Sequence, residues 1–216
     1  MRHFPPVARV LLFDLDDTLF ARAVAFHRWA APISRGQEDL DWLVDADGRG
    51  RAPRFEFAMK TVARFGLGDP EPARARAFAE AFPAQLAACV VPEPGVREVI
   101  VRLAATHRIG IVTNGGGATQ REKLWRAGLA DLFEVMLISG ELGIDKPAPQ
   151  LFLQAAAMFA VPPAECCFIG DDPELDIAPA AALGMTTIWR VRDVWPAQLP
   201  PPNYAIRSFA ELEGCL

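Results

Sequence analysis

An apolar run ends at Phe13 and is followed at once by Asp14-Leu15-Asp16-Asp17-Thr18. If the run is a strand that stops there and the chain turns, Asp14 and Asp16 face one site across Leu15. A third acid, Asp171, lies in Gly170-Asp171-Asp172, with Asp176 close behind. Carboxylates at such range repel and raise one another's pKa unless a cation sits among them. A hard cation with oxygen ligands meets that need, and Mg²⁺ suits a site with few carboxylates that also holds a phosphate. Thr113 in Thr113-Asn114-Gly115 brings a hydroxyl. Gly115-Gly116-Gly117 lets backbone N–H groups approach an anion, and Lys146 adds a positive charge. A nucleophile, a second acid, a metal and anion donors are the parts of phosphoryl transfer.

Elements that could hold these parts together are visible in the pattern. Val7 to Phe13, Ile109 to Val112, Val135 to Ile138, Cys167 to Ile169 and Thr186 to Val191 are apolar runs of strand length. They lack polar alternation, as expected for parallel strands covered on both faces. Helical faces lie between them: Val96, Val99, Ile100, Leu103 and Ala104 on one, and Leu151, Ala155, Met158 and Phe159 on another. Gly128 and Gly184 fit as helix stops. Tyr204 to Ile206 is a further short strand, and Ser208 with Glu211 reads as a capping box opening a last helix. Each chemical cluster follows a strand, except that Lys146 sits a few residues on. In open parallel sheets, ligands bind beyond the carboxyl ends.

One stretch breaks the alternation. Ala21 to Ala31, Arg54 to Phe65 and Pro72 to Ala88 read as helices, with Gly66-Leu67-Gly68 and Pro70 as punctuation. Val91 to Gly95 is the return hinge. The expectation is an α/β protein with a Rossmann-like parallel core over 1–19 and 93–216. An all-α cap inserted at 20–92 completes it.

The sequence resembles the haloacid dehalogenase superfamily of hydrolases. The resemblance rests on Asp14-Leu15-Asp16-Asp17-Thr18-Leu19, Thr113-Asn114-Gly115, Lys146-Pro147-Ala148-Pro149 and Gly170-Asp171-Asp172-Pro173-Glu174-Leu175-Asp176-Ile177, in that order. It implies that Asp14 is the nucleophile and forms an aspartyl-phosphate, and that Asp16 is the general acid, then the general base. It implies that Thr113, Asn114 and Lys146 bind the phosphoryl group. Asp14, the backbone carbonyl of Asp16 and Asp171 would bind Mg²⁺, and Asp176 would orient metal-bound water. The family often has Asn where this chain has Leu175. Asp172 reads as a helix cap rather than a metal ligand.

The implied activity is a Mg²⁺-dependent phosphatase of small phosphorylated metabolites. Rival readings are a phosphomutase, a 2-haloacid dehalogenase of the same superfamily, or a catalytically weak phosphate-binding module. A net charge of −5 without a basic block argues against nucleic acid or an anionic membrane as partner. Cys89, Cys166, Cys167 and Cys215 form no Cys-x-x-Cys pair, so neither a disulfide framework nor a zinc site is expected. No signal peptide or spanning segment is expected either, which makes the cytoplasm the default, with a monomer or homodimer. Asp45, Asp47, Gly50 and Glu56 fit a calcium-loop template, but Arg49 occupies a ligand position, so a polar turn is expected there. His27, Arg35, Trp42, Arg49, Arg51 and Arg54 are candidate substrate contacts in the cap, each with packing or solvation as the alternative. Trp29 and Trp42 are expected to pack the cap.

Overall fold

The computed structural model describes residues 8–68 and 71–216, the side chain of Arg49 apart. Val7, Pro70 and the Arg49 side chain, invoked above, lie outside the described residues. The chain divides into two compact units. One takes in the described residues up to Ala21 and resumes at Pro92; the other is Arg22–Val91.

The first unit is built on a parallel sheet of six strands: β1 (Val10–Phe13), β2 (Arg108–Thr113), β3 (Val135–Ile138), β4 (Cys166–Gly170), β5 (Thr186–Arg190) and β6 (Tyr204–Ile206), in the order β3-β2-β1-β4-β5-β6. All four residues of β1 are buried, as an apolar run between two covered faces requires. Successive side chains alternate between the faces. Val10 and Leu12 join Val112, Leu137, Phe152, Phe159, Cys166 and Phe168 in one core cluster. On the other side, Phe13 packs against Phe133 and Phe209 at centroid distances of 6.1 and 6.4 Å. Cys166 and Cys167 are both buried, and all four cysteines are free. No helix of the described residues is long and apolar enough to cross a membrane.

The register explains why the chemical clusters meet. Phe13 pairs with Ile111 of β2 on one side and Ile169 of β4 on the other. Asp14, Thr113 and Asp171 therefore leave the sheet side by side, at the point where the strand order turns around β1.

The second unit is helical: α1 (Arg22–Ala30), α2 (Gln37–Asp47), α3 (Arg54–Phe65) and α4 (Pro72–Ala88). Helix α2 was not among the expected elements. Phe26 and Trp29 of α1, Phe57 of α3, and Phe78 and Phe82 of α4 form the aromatic core of this unit, with Trp29 and Phe82 edge-on at 4.6 Å. The turn after α2 is closed by arginines. The buried Asp47 carboxylate accepts two hydrogen bonds from Arg22 at 2.8 and 3.1 Å, one from Arg54 at 3.0 Å and one from Gly50 N–H at 2.8 Å. Arg35 is likewise paired with Asp39, and Trp42 packs against Phe65 with the Arg64 guanidinium over its ring. His27 is exposed.

The remaining helices belong to the first unit: α5 (Val96–Ala104), α6 (Gly117–Arg126), α7 (Ser139–Leu142), α8 (Pro149–Met158) and α9 (Ala178–Ala182). The expected capping reach near the C-terminus is present, with Glu211 Oε1 accepting from Ser208 N–H at 3.0 Å.

Candidate active site

Asp14 follows β1 directly and its N–H donates to the Ile169 carbonyl at 2.9 Å, which fixes it against β4. Its carboxylate is buried and meets Lys146, whose Nζ lies 2.7 Å from Asp14 Oδ1 and 2.6 Å from Asp176 Oδ1. Lys146 comes from the loop between α7 and α8, and its ammonium stands 5.7 Å from the centroid of the Phe168 ring. Asp176 lies in a wide helical turn after β4, where its Oδ2 also accepts from Asp172 N–H at 3.0 Å. Asp14, Asp171 and Asp176 each place one carboxylate oxygen within 4.8 Å of the others.

Asp16 points elsewhere. Both its oxygens face Lys123 Nζ, at 2.5 and 2.7 Å, and Oδ2 also accepts from Gln120 Nε2 at 3.2 Å. Gln120 donates in addition to Thr113 Oγ1 at 2.9 Å and to the Asn114 carbonyl at 3.0 Å. Thr113, at the end of β2, is fully buried. Neither Gln120 nor Lys123 was picked out from sequence. Their i, i+3 spacing puts them on one face of α6, but the same pattern marks many solvated helix faces.

Three neighbours set the frame. Asn114, expected on the phosphoryl group, has its carboxamide on the backbone of Lys146 instead: Nδ2 donates to the carbonyl at 3.0 Å, and Oδ1 accepts from the N–H at 2.8 Å. It holds the loop that carries the ammonium. Asp172 caps the following turn, with Oδ1 accepting from Glu174 and Leu175 N–H at 2.9 and 3.0 Å. Asp171 is held by its carbonyl, which accepts from Trp189 Nε1 at 2.8 Å, and Thr18 Oγ1 lies 3.4 Å from its carboxylate.

The electrostatics follow from burial and crowding. Burial raises the Asp171 carboxyl to about 9, with the Asp14, Asp176 and Asp17 carboxylates adding to the rise. Burial also lifts Asp176 to about 7, although the Lys146 ammonium opposes it. Burial disfavours the Lys146 charge, but Asp14 and Asp176 outweigh that and push its pKa above the usual lysine range. One ammonium therefore serves two carboxylates and leaves Asp171 short of positive charge. The donor set is all oxygen and acidic, and it fits a hard divalent cation such as Mg²⁺.

Residues 8–184 match the family model of haloacid dehalogenase-like hydrolases. A phosphoserine phosphatase of Thermus thermophilus is 34% identical over 216 residues, covering 88% of this chain and 84% of that protein. A glyceraldehyde 3-phosphate phosphatase of Methanopyrus kandleri is 30% identical over 200 residues, covering 85% and 84%. The solved structure of a 2-haloacid dehalogenase from Pseudomonas syringae shares the fold, with a TM-score of 0.65 and 28% identity over 97% of this chain and 98% of that one. The sequence motifs, the six-stranded parallel sheet and these matches agree: the chain belongs to the haloacid dehalogenase-like hydrolase family.

Proposed function

We propose that this hydrolase is a Mg²⁺-dependent phosphatase of small phosphomonoesters, acting through an aspartyl-phosphate on Asp14. One observation carries the reading. The Asp14 carboxylate sits in an acidic cluster with Asp171, Asp176 and Lys146, while the second acid, Asp16, has both oxygens on Lys123 and one on Gln120. Those different partners give the two acids different tasks.

With Oδ1 on Lys146, Asp14 presents its other oxygen to phosphorus. The new O–P bond forms as the P–O bond to the leaving group breaks, and Asp16, which must enter this step as the carboxylic acid, gives its proton to the departing oxygen and is left as the carboxylate. Water then attacks phosphorus, Asp16 takes its proton, and the O–P bond to Asp14 breaks to release phosphate. Thr113 and Lys146 bind the phosphoryl oxygens in both steps. Asp14, the backbone carbonyl of Asp16 and Asp171 would hold Mg²⁺, with Asp176 beside them. When bound, the cation supplies positive charge at the phosphoryl group and offsets the crowded carboxylates.

A dehalogenase would use Asp14 on carbon and would need neither Asp16 as an acid nor an acidic cluster. Both features support phosphoryl transfer. The phosphatase relatives act on small phosphorylated compounds by their names, which supports the same substrate class here.

The test is a quench experiment with radiolabelled aryl phosphate and Mg²⁺. An aryl leaving group needs little protonation, so Asp16→Asn is expected to accumulate an acid-stable, hydroxylamine-sensitive label on the peptide containing Asp14. Asp14→Asn is expected to carry none. Equal label in both variants, or undiminished turnover after chelation of divalent metal, would overturn the reading.

A further inference from the structure

Helix α6 brings a buried ammonium to Asp16 from 107 residues away. Lys123 is 4% exposed and closes on both oxygens of a side chain that is itself 25% exposed. A buried ion pair is weak evidence for stability, because an apolar pair of similar volume often does as well. The next residue, Leu124, is fully buried and already anchors the helix. One turn earlier, Gln120 Nε2 has two hydrogens for three acceptors: Asp16 Oδ2, Thr113 Oγ1 and the Asn114 carbonyl. It ties the acid to the residue that binds phosphate.

We propose that Lys123 is a positioning residue for proton transfer. It fixes the Asp16 carboxylate where one oxygen can reach the leaving group and then water, and Gln120 keeps that carboxylate in register with Thr113. The proposal rests on the reading of Asp16 as acid and base. Without Lys123, the carboxylate loses the ammonium that holds both its oxygens, and the loss falls on the steps that move a proton.

The experiment measures kcat and kcat/KM with Mg²⁺ for an alkyl phosphate and for nitrophenyl phosphate. It uses Lys123→Met, Lys123→Arg, Asp16→Asn and the double variant Asp16→Asn/Lys123→Met, each verified as folded by circular dichroism. Phosphorylation of Asp14 by the alkyl ester needs a proton for the leaving group. Its kcat/KM is expected to fall about 10–100-fold in Lys123→Met, a part of the ~10²–10⁴ typical of acid–base help. For the aryl ester, kcat/KM is expected to stay within about threefold of the parent. Its kcat falls instead, because hydrolysis of the acyl phosphate becomes limiting and label accumulates on Asp14. Lys123→Arg restores part of the loss. In the Asp16→Asn background, Lys123→Met has no further effect, since the group it positions is gone. Equal losses of kcat/KM on both esters, or losses that multiply in the double variant, would show a merely structural lysine and leave the phosphatase reading standing. Full turnover of Asp16→Asn would remove the reading and the proposal together. If Lys123→Met does not fold, Lys123→Gln takes its place under the same criteria.

Discussion

Asn114 and Lys146 are joined at both ends of one carboxamide, which accepts from the Lys146 N–H at 2.8 Å and donates to its carbonyl at 3.0 Å. Two loops that follow different strands are thereby held as one, with the ammonium between Asp14 and Asp176 as the result. Asn114→Ala removes both bonds and leaves polar backbone groups without their partner. The expected cost is about 1–3 kcal/mol of stability and a fall of roughly tenfold or more in kcat/KM, since a small misplacement of a charge-stabilising group is expensive in rate. Thermal melts and steady-state assays check it. Wild-type values of both would mean that the loop holds Lys146 unaided.

Gly170 gives a purely steric prediction. A Cβ on this last residue of β4 would lie 2.5 Å from Asp176 Oδ2 and 2.6 Å from its Cβ and Cγ. Its backbone is not in the left-handed region, so Gly170→Ala carries no dihedral penalty and acts only by displacing Asp176. Asp176 would lose its place beside Lys146 and the Asp172 N–H. A higher Mg²⁺ concentration for half-maximal activity and at least a tenfold loss of kcat are expected, comparable in kind to Asp176→Ala; an unchanged Mg²⁺ requirement and kcat would mean that Asp176 keeps its place. Titration of activity with Mg²⁺ in both variants decides it.

The contrast between α2 and β3 shows what could be read in advance. Val135–Ile138 is an unbroken apolar run, and all of it but the half-buried Met136 is sheltered by the fold, so the strand appears at its expected place. Helix α2 reads Gln-Glu-Asp-Leu-Asp-Trp-Leu-Val-Asp-Ala-Asp, which resembles a solvated acidic stretch. Two of those acids, Asp39 and Asp47, are nonetheless buried: Arg35 meets Asp39 from four residues before it, and Arg64 and Arg22 reach Asp39 and Asp47 from 25 residues away. No local pattern carries the two distant pairings. The same holds at the site. Asp14, Thr113, Lys146 and Asp171 lie near strand ends or in the loop beyond, and could be picked out there. Lys123 looked like one charge among several on α6 until the fold set it against Asp16.

The Arg22–Asp47 pair predicts where the helical unit fails first. Asp47→Ala leaves a buried guanidinium without its bidentate partner, and breaking a buried pair on one side typically costs about 3–5 kcal/mol. Hydrogen-exchange mass spectrometry is expected to show faster exchange in α1 and α3, with the parallel sheet unaffected. Replacing both residues, Arg22→Met with Asp47→Leu, is expected to recover much of the loss. Protection of α1 and α3 that survives Asp47→Ala would show that the aromatic core alone sets their stability.

The acidic cluster predicts how stability and metal binding respond to pH. Asp171 titrates at about 9 and Asp176 at about 7 in the folded, metal-free protein, burial being the first cause in each. In the unfolded chain an aspartate titrates near ~3.9. Between those values the folded state keeps protons that the unfolded state has lost. Stability from these two groups is therefore fully present below about 4 and is lost as pH rises through 7 and then 9. Lys146 is shifted upward and loses its contribution only above its unfolded value of about 10.4, outside this window. The metal-free protein is thus expected to melt at lower temperature at pH 9 than at pH 6. Mg²⁺ requires the ionised carboxylates, so its binding releases protons, and its stabilisation grows across the same range. Scanning calorimetry with chelator and with saturating Mg²⁺ measures both slopes, and Asp171→Asn is expected to flatten the metal-free one. A gain from Mg²⁺ that is independent of pH would place the cation away from these carboxylates, and a metal-free slope unchanged in Asp171→Asn would mean that folding does not raise the Asp171 carboxyl.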